Sequence, residues 1–305
     1  LCRRLNNKIF FYFPAALIKV LKRTLTGRGA NMNHYLEMTE KEIEHLAWIH
    51  SNKFTIPDLF RKKFFPQNTY RAACYVLNKY AKKGFLLLEK PNIFSHNFCF
   101  LTVDAIRTLD AMGAAPIRTL KHPIRINPYE RQHDLMVQEL RIVLEAAPEL
   151  EDIFWVSDFE MRAGITPEIK VEFQEGKLRE GWRKRSWERA KRLVRRTPDG
   201  YFEADFEGER QGFALEFERT AYNHRMVRNM VWYLSDTFPY AYRLIVSETK
   251  GHAARMVRNL QGWVREDERY KWFVSDFEKV TTRPFTKSWH PLTRPLDEPE
   301  ESNTD

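Results

Sequence analysis

The chain has 305 residues, 43% hydrophobic and 14% aromatic, enough for one large or two modest cores. Its formal net charge of +9 favours a polyanionic partner, and its three widely spaced cysteines, Cys2, Cys74 and Cys99, support neither a disulfide framework nor a zinc cluster. The longest apolar run, residues 9–21, is too short to span a bilayer and contains Lys19, so no membrane association is expected and the cytoplasm is the expected location.

Residues 1–35 read as a basic N-terminal extension, with seven basic and no acidic residues in 1–31. Two readings of 1–31 stay open: a basic amphipathic surface helix, or sequence upstream of the true start. Thr39-Glu40-Lys41-Glu42 is a capping box that opens a helix carrying Ile43, Leu46, Ala47, Ile49 and His50. A short second helix starts near Pro57. A third opens at 68–73 with Ala73, Val76, Leu77 and Tyr80 on its apolar side, and Gly84 ends it. Residues 85–88 and 98–102 form the strands of a hairpin. Three helices and a hairpin over 36–113 resemble the winged helix-turn-helix, in which the third helix enters the major groove of duplex DNA. The resemblance implies that Tyr70, Arg71, Asn78, Lys79, Lys82 and Lys83 face DNA. A module that dimerises or binds protein is the other reading.

Residues 114–128 hold Pro116, Pro123 and Pro128 and read as a linker. A second α/β domain is expected over 129–282. It begins with a helix over 130–146, followed by a strand over 151–160. A basic insertion over 161–196 comes next, and 177–196 alone carries ten basic and two acidic residues. Its Arg183, Lys184, Arg185, Arg189, Lys191 and Arg192, with Trp182 and Trp187, suit phosphate contacts and stacking, or else a solvated helix face. Strands over 201–206 and 213–220 are joined by a Gly-bounded turn at 207–212. A helix over 222–237, a buried strand over 242–247, a helix over 251–263 and a last strand over 271–277 complete the domain. Residues 283–305 read as a disordered acidic tail.

In the hairpin, Phe213, Leu215 and Phe217 share one face while Glu216 and Glu218 take the other. The turn brings Asp199 near both glutamates. Like charges repel across a sheet, so removing either Asp199 or Glu216 is expected to leave the fold no less stable. A divalent cation would relieve the same repulsion, and oxygen ligands suit Mg²⁺. An acidic hairpin face in solvent is the plain alternative.

Pro198-Asp199 and Glu216-Phe217-Glu218, with the order helix–strand–strand–strand–helix–strand, resemble the PD-(D/E)xK nuclease superfamily. The resemblance implies Asp199, Glu216 and Glu218 as catalytic residues, with Asp199 and Glu216 holding Mg²⁺. Glu218 stands where that pattern has Lys. Together with the winged helix, His133-Asp134, Glu139, Trp155, Glu160 and Glu216-Phe217-Glu218-Arg219-Thr220 resemble the bacterial replication-relaxation family over about 37–280.

That resemblance implies a DNA-binding protein of a plasmid or other mobile element, acting in replication, mobilisation or DNA relaxation. The expected partners are duplex DNA, a second copy of the chain, and a relaxase or replication initiator. A Mg²⁺-dependent nickase, a non-enzymatic accessory factor with a decayed acidic site, and a protein-binding adaptor all remain open. His133 reads as a capping histidine or as a group beside a metal. Glu139 reads as a first-helix acid or a solvated glutamate, and Glu160 joins the acidic cluster or pairs with Arg162. Arg219, Arg225 and Arg228 replace the missing Lys or contact phosphates.

Overall fold

The computed structural model describes residues 37–90, 97–115, 128–175, 197–220 and 223–294. They form a mixed α/β structure of two compact units. The described part of the first is 37–115 with 165–175, and that of the second is 128–164 with 197–294. The extension 1–35, most of the linker, and all six basic residues named in the insertion lie outside the described residues.

In the first unit, α1 (Glu40–Ser51) starts at the capping box expected of Thr39 and Glu42. Helix α2 (Pro57–Phe64) takes Pro57 in its first turn, where a missing N–H costs nothing. Helix α3 (Tyr70–Lys82) is capped by Thr69, whose side chain accepts the Ala72 N–H. Gly84, at φ +78°, turns the chain so that the Phe85 N–H reaches the Tyr80 carbonyl at 2.9 Å. The antiparallel strands β1 (Leu86–Glu89) and β2 (Phe98–Leu101) follow, and Thr55 bridges the far side of β2 at Cys99. Helix α4 (Val103–Ala111) packs on α1. His45 is buried in this core among Phe60, Phe64 and Phe65, with Nδ1 2.7 Å from the Tyr80 hydroxyl.

The second unit is built on a six-stranded sheet in the order β3-β4-β5-β6-β7-β8. Helix α5 (Pro128–Ala146) leads into β3 (Glu151–Ser157), which is shorter than expected. Ser157 and Glu160 form a capping box that ends the strand and opens α6 (Asp158–Arg162). Helix α7 (Pro167–Gln174) follows and groups with the first unit. Strands β4 (Gly200–Phe206) and β5 (Glu209–Glu218) form an antiparallel hairpin. Its turn has two residues rather than six. Glu207 and Gly208 both take positive φ, at 53° and 82°, which matches the right-handed twist of the flanking strands.

Parallel crossovers then run through α8 (His224–Thr237) to β6 (Tyr242–Ser247), and through α9 (Lys250–Gln261) to β7 (Trp272–Asp276). The chain does not become an unstructured tail at 283. Helices α10 (Phe277–Thr282) and α11 (Phe285–Ser288) lead to β8 (His290–Pro291), which pairs with β7. Burial of Phe285 and Leu292, and a Leu292 N–H bond to the Trp272 carbonyl, hold this segment.

Each sheet face has its own core. Leu215, Phe217, Phe202 and Val246 pack with Leu140 of α5 and with Val280. Ala214, Ile245 and Val274 pack with Val227 and Leu234 of α8 and Val257 and Leu260 of α9. By alternation along β5, Glu216 and Glu218 belong to the α8–α9 side.

Candidate nucleic-acid interface and acidic site

Helix α3 separates its residues cleanly. Ala73, Leu77 and Tyr80 are buried, and Arg71, Tyr75, Asn78, Lys79 and Lys82 are exposed. The exposed set recurs at three- and four-residue steps, so it forms one stripe along the helix. The helix contains no acidic residue. Tyr70 lies partly exposed on the flank of the stripe. Lys83 is committed elsewhere: its ammonium pairs with Glu42 of the α1 capping box. Tyr75, 73% exposed in the middle of the stripe, is not among the residues singled out from the sequence. Its spacing of four from both Arg71 and Lys79 was the available signal.

The acidic site is built where β4 begins. Gly200 pairs with Leu215, which sets Asp199 opposite Glu216. Asp199 Oδ2 accepts the Phe217 N–H at 2.8 Å and lies 3.2 Å from His133 Nε2. The same nitrogen is 3.1 Å from the Phe217 carbonyl, and His133 Nδ1 is 3.8 Å from Asp134. Burial works against a charge on this ring, but Asp134 and Asp199 outweigh it and hold the imidazole pKa up to about 11. His133 is therefore an imidazolium at neutral pH. It is neither a helix-start cap nor a bystander, because α5 delivers it against the hairpin.

Glu216 is half-buried. Burial, then the charges of Asp199 and Glu218, push its carboxyl well above the usual range, with His133 and a backbone hydrogen bond at Asp199 acting the other way. Glu218 is buried at the end of β5. Tyr233 of α8 is buried nearby. Burial and the charges of Glu216 and Asp199 push its hydroxyl up, and among the described residues that hydroxyl has no hydrogen-bond partner. Asp199 and Glu218 thus each lie close enough to Glu216 for their charges to act on it, with His133 beside Asp199.

Other candidates have different duties. Glu160 accepts from the Ser157 N–H at 3.0 Å and caps α6, while Arg162 pairs with Asp158. Arg219 bonds the Tyr129 carbonyl and Gln132, fastening the end of the hairpin to α5. Glu139 is half-buried on α5. Arg225 and Arg228 are exposed on α8.

One Asp199 oxygen is already taken by an imidazolium and a backbone N–H. Among the described residues, no three His, Cys, Asp or Glu side chains are placed to hold a metal ion. The expectation that losing Asp199 costs nothing also changes, since its removal strands the Phe217 N–H. No protein-family model, curated protein or solved structure matches the chain. No helix among the described residues is long and apolar enough to cross a membrane.

Proposed function

We propose that the protein binds duplex DNA through α3, as the winged helix-turn-helix reading of the first unit implies. The observation that carries this is the acid-free stripe of Arg71, Tyr75, Asn78, Lys79 and Lys82 on an exposed helix face. Cations at that spacing can meet successive phosphates, while Asn78 and Tyr75 are available to base edges or sugars.

The succession of helix, three strands, helix and strand in the second unit supports the PD-(D/E)xK-like reading. Its acidic site carries its own countercharge in His133, which favours an accessory role over metal-dependent cleavage. Within the replication-relaxation resemblance, the protein then acts in replication, mobilisation or relaxation of a mobile element as a DNA-binding factor. The test is fluorescence anisotropy with duplex DNA over a salt series, alongside incubation with supercoiled DNA in Mg²⁺ or Mn²⁺. Binding that weakens steeply with salt is expected, without nicking. Salt-insensitive binding would favour the protein-adaptor reading. Nicking that is lost in Asp199→Asn would favour the nickase.

A further inference from the structure

Helices α8 and α9 share one core, so their outer sides face solvent together on the same side of the sheet. On α8, Arg225, Arg228 and Trp232 are exposed at steps of three and four residues. On α9, Arg255 and Arg258 are exposed three residues apart. The two helices hold a single acidic residue, Asp236. Among the described residues none of these four arginines forms an ion pair; Arg228 instead lies over the Trp263 ring at 5.7 Å. Trp263 is also held by His224, whose Nδ1 accepts its indole N–H at 3.3 Å. Trp232 is 62% exposed.

Exposed arginines unmatched by acids are phosphate contacts in search of a polyanion. Exposed indoles add a further requirement. A duplex keeps its bases stacked inside, so it offers an indole ring nothing to stack on, whereas an unpaired strand offers every base face. We propose that the α8–α9 face is a binding site for single-stranded nucleic acid, with Arg225, Arg228, Arg255 and Arg258 along the backbone and Trp232 stacking on a base. It deepens the DNA-binding reading but uses residues other than those of α3, so each reading can fail alone.

The test uses the full chain with a short single-stranded oligonucleotide and with a duplex of the same sequence. Trp232→Ala should weaken single-strand binding roughly tenfold, Trp232→Phe should restore most of it, and duplex affinity should not change. Arg225→Ala/Arg228→Ala/Arg258→Ala should flatten the single-strand salt slope by about 2. All four changed residues are exposed, and unaltered thermal melting checks that each variant is folded. Parental single-strand affinity in Trp232→Ala, or an equal loss for duplex and single strand, overturns the proposal. If changing Arg71, Lys79 and Lys82 leaves duplex binding intact while Trp232→Ala still weakens single-strand binding, the α3 reading falls and this one stands.

Discussion

Lowering the pH from about 7.5 to about 5 should loosen the first unit through His45. Its ring is buried among three phenylalanines, and burial, reinforced by Lys41 and opposed by Glu42, pulls its pKa down from 6.5 to about 4. In the unfolded chain the imidazole takes up a proton near pH 6.5, while the folded core refuses it until about pH 4. Between those values the unfolded state binds more protons, so stability falls as pH falls. With about 1.4 kcal/mol per pKa unit, the loss is about 2 kcal/mol at pH 5 and about 3 kcal/mol at pH 4. That is a large share of the stability of a small domain. Hydrogen exchange of peptides from α1 in the full chain reads this locally. Carboxylates titrate in the same window, so the comparison is with His45→Phe/Tyr80→Phe, which removes both members of the 2.7 Å hydrogen bond. The variant should lose about 2 kcal/mol less protection than the parent on going to pH 5. An identical loss in both, or an imidazole carbon resonance of His45 titrating near pH 6.5, would refute the reasoning.

In the second unit the sign reverses. His133 has a folded-state pKa of about 11, so its stabilisation is complete below about pH 6.5 and drains away as pH rises toward 11. Melting followed from about pH 7 to 10 should show this decline, and Asp199→Asn should blunt it. Asp199→Ala should cost about 1–3 kcal/mol in denaturant titrations by leaving the Phe217 N–H without its acceptor. Glu216→Gln, in contrast, should stabilise the protein at neutral pH, because burial and two neighbouring carboxylates oppose its charge. Gly200→Ala should cost about 1–3 kcal/mol, since a Cβ there overlaps the Trp155 ring, which is buried and stacked on Phe202. Changing Arg71, Lys79 and Lys82 together to Ala should reduce the duplex salt slope by about 3, whereas Tyr75→Ala should lower affinity and leave that slope unchanged.

Local signals made much of this fold readable. The Thr39 and Thr69 caps, the apolar spacing of α3 and the alternation along β4 and β5 each reflect forces that act within a few residues. The misreadings share a cause as well. Residues 151–160 looked like one strand because burial continues past Ser157, yet there it belongs to a capped helix, not to a sheet. The turn seemed long because Glu209 to Gly212 are polar, though they pair across the hairpin. Residues 285–292 looked like tail because Pro-rich flanks hid Phe285 and Leu292, whose burial depends on strands far upstream. The acids at 199, 216 and 218 were recoverable from strand phase. The role of His133 was not, since it depends on where α5 docks, 84 residues from its partner carbonyl.

The tight turn at Glu207-Gly208 has a reach well beyond its own position. Because strand pairing proceeds residue by residue from that corner, the turn acts as the zero mark of a ruler on which Asp199 and Glu216 are read off eight residues away on either side. A single residue inserted there would slip the scale by one, and every side chain of the displaced strand would change faces. Glu216 would then turn toward the phenylalanine core and Phe217 toward the α8–α9 side. The carboxylate pair would be dissolved without any of its members being altered.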